Sequence, residues 1–200
     1  MIKKILLDPG HGKETPGKRS PKWSDGSQLF EWEYNREIAQ RVLKELKAKK
    51  VDVEIIVTEE RDISLTERCN RANAIAKKAG INNTLLVSIH CNAADNTSAT
   101  GWEVHTSPGV TKADVYADVF WSEAQAALPK GTKMRGDFRN GHKCWDSNFT
   151  ILTKSNCPAV LTENLFMSSE SDCKYLLSEE GKNAITKLHV NAILKITGKN

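Results

Sequence analysis

Two histidines of the sequence each stand shortly after an apolar run. His11 follows residues 5–7 across the turn-forming segment Asp8-Pro9-Gly10, and His90 directly follows residues 85–89. Such runs predict short buried strands, and in open α/β sheets ligand sites form at the carboxyl ends of the strands. A single histidine after a strand is more often held by backbone groups, but two in equivalent places are candidate metal ligands.

Two glutamates complete a set of groups that could support hydrolysis. Glu163 follows the apolar run of residues 159–161, and Glu31 stands at or just before the first turn of a predicted helix. Two histidines and a carboxylate, with water in the fourth position, form an ordinary catalytic zinc site. A further carboxylate that stays off the metal can serve as general base and acid, because burial near the metal tunes its pKa toward neutrality.

The elements that must position these groups alternate between strands and helices. Strands are predicted within residues 5–7, 51–57, 85–89, 101–106 and 159–161, with a short edge strand at 149–152. Helices are predicted from about residue 31 or 33 to 49, from a capping box at 64–67 to 79, and over 112–128 and 178–196. In the helix of residues 112–128, four residues are expected to face the core: Val115, Val119, Phe120 and Ala124. We expect one α/β domain over residues 1–200, with a mixed, largely parallel sheet and helices on both faces.

Composition limits the classes of function. The 200 residues carry a net charge of +4 without a basic stripe of interleaved aromatic residues, so a nucleic-acid partner is not expected. The N-terminal apolar run is too short for a signal peptide or a membrane span, which predicts no membrane insertion and either release from the cytoplasm or export of a form whose leader was removed. The five cysteines include no Cys-x-x-Cys pair, which argues against a disulfide framework. We expect a monomer.

Four segments stand in a fixed order along the chain. They are residues 8–12, Glu31 with Asn35 four positions later, residues 88–93 and residues 158–164. Together they resemble the signature segments of the zinc-dependent N-acetylmuramoyl-L-alanine amidases of type 3. Since four ordered segments are far more specific than one motif, the chain is identified as a member of this family. It carries no repeated or aromatic-rich wall-binding module, so we expect residues 1–200 to be the catalytic domain alone.

The resemblance implies a role for each candidate group. It implies zinc held by His11, Glu31 and His90, with Glu163 as the catalytic acid/base. It also implies hydrolysis of the amide that joins the lactyl group of N-acetylmuramic acid to the L-alanine of the stem peptide, so that peptidoglycan is the substrate and the bacterial cell wall the place of action. Glu33 competes with Glu31, and the spacing within the motif favours Glu31; Glu33 is then a first-turn acid favoured by the helix dipole.

Three polar residues are candidates for substrate binding: Asn92, Arg135 and Arg139. The two arginines belong to a basic loop, residues 130–148, and could meet a carboxylate of the stem peptide, with a solvated surface as the alternative. Leu165 departs from the family, whose members usually have glycine there. A turn that requires a positive φ would therefore be strained at this residue.

Other interpretations stay open at this point. A zinc metallopeptidase that cuts within the stem peptide would use the same metal and base, and an inactive wall-binding module would keep the fold without turnover. The remaining histidines are expected to pack in the core or on the surface: His105, His142 and His189. Cys91 is expected in the core, on the opposite face of its strand from His90.

Overall fold

The computed structural model of the chain describes residues 1–138 and 141–199, and all the elements named here lie within them. The strands are β1 (Lys4–Pro9), β2 (Asp52–Ile55), β3 (Thr84–Asn92), β4 (Trp102–Thr106), β5 (Met134–Arg135), β6 (Trp145–Asp146) and β7 (Ala159–Phe166). The helices are α1 (Glu31–Ala48), α2 (Leu65–Ala79), α3 (Lys112–Ala127), α4 (Thr150–Thr153), α5 (Glu170–Leu177) and α6 (Glu179–Thr197). The predicted α/β class is confirmed.

The strands form one mixed sheet in the order β2-β1-β3-β7-β4-β5, with β6 also paired to β4. β4 runs antiparallel to β7, whereas the other pairs are parallel. Because parallel neighbours bring their carboxyl ends to the same edge, β1, β3 and β7 deliver their last residues to one place. In this register Asp8 lies opposite Ser88, and His90 lies opposite Glu163.

Helices cover both faces of the sheet, as predicted. Apolar residues of α1, α3 and α6 pack on one face, and those of α2 and α4 pack on the other. Leu6, Leu86 and Leu161 belong to the face under α2 and α4. Side chains alternate along a strand, so this face continues toward the carboxyl edge with four polar residues: Asp8, Ser88, His90 and Glu163.

Some local predictions are wrong. Residues 149–152 do not form an edge strand, because Thr150–Thr153 is the helical turn α4. Ile151 and Leu152 are both buried, at 3% and 4% exposure, whereas adjacent strand residues would face opposite sides. Val115 does not face inward but is 58% exposed on α3.

Other elements are longer than predicted or absent from the prediction. β7 continues past residue 161 to Phe166, so Glu163 lies within the strand and not beyond it. β5 and β6 lie in the basic loop, and α5 precedes the final helix. The two-residue strands have no measurable periodicity, which is why the sequence does not predict them.

Candidate active site

The turn that carries His11 has a left-handed backbone held by two arginines. His11 has a φ of +63°, a conformation that costs a non-glycine residue about 1–3 kcal/mol. Its carbonyl oxygen accepts hydrogen bonds from Arg36 Nη1 and Arg68 Nη2, each at 2.9 Å. Gly12 packs tightly as well, since an added Cβ would lie 2.2 Å from the backbone of Asp62. These contacts fix the backbone that carries the His11 imidazole.

Arg68 forms a buried ion pair beneath this turn. The residue is 2% exposed, and its Nη1 atom donates to Asp8 Oδ1 and to the Pro9 carbonyl oxygen, each at 2.7 Å. The second Asp8 oxygen accepts a hydrogen bond from Ser88 Oγ at 2.7 Å. A buried ion pair is tolerated when its remaining hydrogen-bonding groups are satisfied in this way. The pair ties α2 to the carboxyl end of β1.

Glu31 lies between the two imidazoles. Its Oε2 atom is 3.3 Å from His11 Nε2, and its Oε1 atom is 3.2 Å from His90 Nδ1. The glycine before His11 makes room for the second ring, because a Cβ on Gly10 would lie 2.1 Å from His90 Cε1. Glu31 is 1% exposed, whereas Glu33 is exposed on the outer side of α1. The structure therefore brings Glu31, and not Glu33, to the histidines.

One atom from each of these three side chains could hold a metal ion. The ligand atoms of His11, Glu31 and His90 all lie within 4.8 Å of one another. Glu31 Oε2 is buried and has no hydrogen-bond partner among the described residues, although buried polar atoms normally have one. Two imidazoles and one carboxylate are the donor set of catalytic zinc sites, in which water takes the fourth position. The residues thus fit zinc.

The three groups also shift one another's pKa. Burial opposes ionisation of Glu31, but the two neighbouring imidazoles of His11 and His90 outweigh it, so the pKa of Glu31 is lowered. Burial lowers the pKa of His11 in spite of Glu31. At His90, burial is outweighed by the hydrogen bond and charge of Glu31, so its pKa is raised. The anionic carboxylate is the form in which Glu31 would bind a metal.

Glu163 is a half-buried residue whose carboxyl group lies beside these three side chains. It lies directly opposite His90 in the pairing of β3 with β7. Burial raises the pKa of Glu163 to about 8; the charge of His90 opposes this shift, and those of Glu31 and Glu103 add to it. Its Oε2 atom is buried without a hydrogen bond in the described part of the chain. Glu163 can therefore hold a proton near neutral pH.

Two of the three predicted substrate-binding residues contact a buried acid. Asn92 Nδ2 donates to Glu103 Oε1 at 2.5 Å, and Arg135 Nε donates to Glu103 Oε2 at 2.9 Å. Glu103 is 7% exposed and lies opposite Glu163 in the antiparallel pairing of β4 with β7. Arg139 lies outside the described residues. Binding of substrate by Asn92, Arg135 and Arg139 stays a prediction.

Glu103 was not predicted from the sequence to be a site residue. A signal was present, because Glu103 and His105 alternate in the predicted fourth strand and must share one face. In the structure His105 Nε2 lies 3.4 Å from Glu103 Oε1. Hydrogen bonding to His105 and Arg135 lowers the pKa of Glu103 despite its burial. Glu103 is thus an anion held next to Glu163.

Each of the other histidines packs against at least one polar group. His105, His142 and His189 lie within hydrogen-bond distance of Ser147, Asp118 and Thr162, respectively. The metal-binding group found among the described residues includes none of the three. Cys91 is 3% exposed and belongs to the core on the opposite face of the sheet from His90. The predictions for these residues agree with the structure.

Leu165 has the positive φ that its position requires, without being glycine. Its φ is +63°, and its side chain is 2% exposed. The pairing of β3 with β7 shifts register between His90 and Asn92, next to this residue. Leu165 therefore combines a buried side chain with the backbone strain that the sequence predicts.

Two adjoining cavities flank the histidines, and both are lined by His11 and His90. The first has a volume of about 350 Å³, and its other lining residues include Lys18, Phe149, Leu161 and Glu163. The second has a volume of about 290 Å³, and its other lining residues include Asp8, Thr15, Asp62 and Arg68. A substrate with two parts could therefore place the bond between them beside the histidines.

Comparison with known proteins identifies the family. Residues 5–195 match the family model described as N-acetylmuramoyl-L-alanine amidase. The chain belongs to this amidase family. The N-acetylmuramoyl-L-alanine amidase CwlM of Bacillus licheniformis is 29% identical over 193 residues, covering 96% of this chain and 68% of that protein. The endolysin of Bacillus phage SPP1 is 28% identical, covering 98% of this chain and 66% of that protein.

A solved structure supports the same assignment for the fold. The crystal structure of N-acetylmuramoyl-L-alanine amidase from Clostridium difficile 630 superposes with a TM-score of 0.81 at 26% identity, covering 98% of this chain and 97% of that chain. The predicted family and fold of this amidase-family chain are therefore confirmed. The chain spans 68% and 66% of the two curated relatives' lengths.

Proposed function

We propose that the chain hydrolyses the amide between the lactyl group of N-acetylmuramic acid and the L-alanine of the peptidoglycan stem peptide. One observation supports this most strongly: Glu163 lies opposite His90 in a cavity that His11 also lines, beside Glu31. Hydrolysis of an amide by a zinc site needs two kinds of group, the metal ligands and a separate proton carrier. The family match over residues 5–195 supports the choice of substrate.

Zinc is the metal that we propose for His11, Glu31 and His90. When bound, zinc polarises the scissile carbonyl and makes water more acidic. The chain contributes a prearranged set of ligands, because the His11 turn is held by Arg36 and Arg68. Such support matters because a metal site tolerates ligand displacements of only about 0.5 Å.

Glu163 moves the protons in the proposed reaction. Its carboxylate accepts a proton from the attacking water and then gives it to the alanine nitrogen as the C–N bond breaks. A group whose pKa lies near the working pH can do both, and burial brings Glu163 into that range. Glu103 assists, because its anionic charge, held by Arg135, favours the protonated form of Glu163.

We propose that residues 1–200 act as one catalytic domain and as a monomer on the bacterial cell wall. The chain resembles both a bacterial amidase and a phage endolysin, which fits wall remodelling as well as phage lysis. Among the described helices, none has the length and apolar character that crossing a membrane requires. In either role the proposed substrate is peptidoglycan.

Digestion products distinguish this proposal from a peptidase. The zinc-loaded protein should release intact stem peptides with a free L-alanine amino group from purified peptidoglycan, because only cleavage at the lactyl amide separates the whole peptide from the glycan. Mass spectrometry identifies them. Fragments cut within the stem peptide would indicate a metallopeptidase, and no product at full zinc content would indicate an inactive binding module.

Glu163→Gln provides the control for that digestion. The variant keeps the shape of the side chain but cannot carry the proton, so kcat should fall by about a hundredfold or more. Zinc content and the far-UV circular dichroism spectrum should stay at the level of the unaltered protein. A loss of zinc in proportion to the loss of activity would contradict the proton-transfer role.

Metal analysis tests the choice of ligands. Chelation should abolish hydrolysis, and added zinc should restore it. Glu31→Ala should lower bound zinc well below one ion per chain, because it removes the carboxylate between the imidazoles. Glu33→Ala is the matched control on the same helical turn and should leave zinc unchanged. Full activity in a metal-free sample, or the reverse result for the two variants, would overturn the assignment.

A further inference from the structure

Lys18 brings a positive charge to the cavity that contains Glu163. Its side chain is exposed and lines this cavity together with His11 and Phe149. Its charge lowers the pKa of both His11 and Glu163. No acidic side chain in the described ranges forms an ion pair with the Lys18 ammonium group, whereas Lys13 in the same loop lies 4.0 Å from Glu60. The Lys18 charge is thus available to a ligand in the cavity.

The backbone of Lys18 is fixed although its side chain is exposed. Its carbonyl oxygen accepts a hydrogen bond from the Glu31 amide at 3.0 Å. The next residue, Arg19, forms an antiparallel bridge with Phe30. Because Glu31 is a proposed metal ligand, Lys18 is held at a constant place relative to the site. Only its flexible four-carbon stem has to adjust to a ligand.

The proposed proton transfer indicates which part of the substrate enters this cavity. Glu163 gives its proton to the alanine nitrogen, so the departing peptide must lie on the Glu163 side of the histidines. That cavity contains Lys18, and its volume of about 350 Å³ suits a small ligand. The second cavity is lined by Asp62, whose side chain is 42% exposed and would repel an anion. Charge therefore favours an anionic peptide beside Lys18 and the uncharged lactyl and sugar groups beside Asp62.

We propose that Lys18 binds a carboxylate of the stem peptide, on the residue that follows L-alanine, and so makes the enzyme prefer the free acid over its amide. The inference rests on the proposed function. An ammonium group forms a charge-assisted hydrogen bond with a carboxylate but not with a neutral carboxamide. Arg135, which the sequence suggested for this contact, is already bound to Glu103 at 2.9 Å.

The test compares two muramoyl dipeptides that differ only at this carboxylate. One carries L-alanyl-D-glutamate with its α-carboxylate free, and the other carries L-alanyl-D-isoglutamine; in both, the γ-carboxyl group is capped as its methylamide, because a second free carboxylate would also attract the ammonium group. Lys18→Met should raise KM for the free acid by about three- to tenfold, since an exposed charge-assisted contact is lost. Any change in kcat comes from the loss of the Lys18 charge near Glu163 and should be the same for both substrates. KM for the amide should change by less than about twofold, because the amide has no α-carboxylate whose contact with Lys18 could be lost. Lys18→Arg should keep the preference, and Lys13→Met should behave as the unaltered protein.

A binding measurement separates this inference from the proposed function. Titration calorimetry of zinc-loaded protein with the two free dipeptides needs no turnover. Weaker binding of the free acid by Lys18→Met, without cleavage of either substrate by the unaltered protein, would keep the Lys18 site and overturn the amidase proposal. Cleavage with equal effects of Lys18→Met on the KM of both substrates, or with none, would overturn the Lys18 proposal and keep the amidase.

Discussion

Two segments that border the proposed active site, here called its walls, are built in different ways: the histidine turn lines both cavities through His11, and the basic loop reaches one of them at Asn148. The histidine turn, residues 8–12, is held from the core, where Arg68 and Asp8 are 2% and 1% exposed. The basic loop, in its described residues 130–138 and 141–148, is held by a few buried groups, such as Glu103 beside Arg135, and otherwise by half-exposed pairs. His142 binds Asp118 at 2.6 Å there, with side chains that are 24% and 31% exposed. The histidine turn therefore depends on buried charge, whereas the basic loop depends in part on partly solvated contacts.

The difference follows from what each wall has to do. The histidine turn carries a proposed metal ligand at a φ of +63°, and such strain persists only when surrounding contacts over-determine it. The basic loop carries none of the proposed zinc ligands, and segments with few buried contacts open at low free-energy cost. We infer that stability is concentrated where ligand geometry demands it, and that the other wall can adjust to substrate.

The largest expected effect lies under the histidine turn. Arg68→Met leaves the Asp8 carboxylate buried without its cation, and removing one partner of a buried pair costs about 3–5 kcal/mol. It also removes a hydrogen bond to the His11 carbonyl oxygen. Urea unfolding of the metal-free protein measures the loss of folding free energy without a contribution from zinc.

The neighbouring Arg71 is the matched control on the same helix. It binds Glu59 and Glu67, and its own side chain is 28% exposed. Arg71→Met should cost less than about 1 kcal/mol, since solvated ion pairs contribute little. Equal losses for the two arginines would remove the contrast between buried and solvated charge.

A smaller effect is expected at Leu165, where burial and strain oppose each other. Leu165→Ala and Leu165→Gly both lose a buried side chain, but only alanine retains the cost of a left-handed backbone. The glycine variant should therefore be the more stable of the two by about 1–2 kcal/mol. Thermal or urea unfolding of the pair isolates this difference.

Leu188 is the control for Leu165, and the opposite order of stability is expected there. It is fully buried within α6, where glycine is less favourable than alanine by about 1 kcal/mol. The order of stability should therefore invert, with Leu188→Ala above Leu188→Gly. The same order at both positions would show that the φ of Leu165 carries no strain.

Much of the fold and of the histidine wall could be predicted from local sequence. The strands β1 and β3 are apolar runs with a histidine at or after their ends, and parallel pairing brings such ends together. Glu31 and Glu163 could be placed because each is attached to a recognisable element, a helix start and a strand. In these cases the information lies within a few residues of the group itself.

The contacts of the basic loop could not be predicted because they join residues far apart in the sequence. Arg135 is bound by Glu103, which lies 32 positions away in the sequence, through the two-residue strand β5. A strand of this length gives no periodic signal, so its pairing partner cannot be inferred. The exposed cation Lys18 was missed for a related reason, because only the fold shows which loop residue faces the cavity.

The smallest expected effect is the pH dependence of stability that His142 contributes in the basic loop. The hydrogen bond with Asp118 raises the pKa of His142, with the charges of Asp118 and Asp114 adding to it. A raised folded-state pKa means that the stabilisation is fully present below the unfolded value of about 6.5 and is lost as pH rises through the folded value. The pair is partly solvated, so the contribution is about 0.2–1 kcal/mol, or roughly 0.4–4 °C in Tm. His142→Gln should therefore melt below the unaltered protein at pH 6, and the two should converge at pH 8.5. A Tm difference that stays constant with pH would show that His142 holds the loop by packing alone.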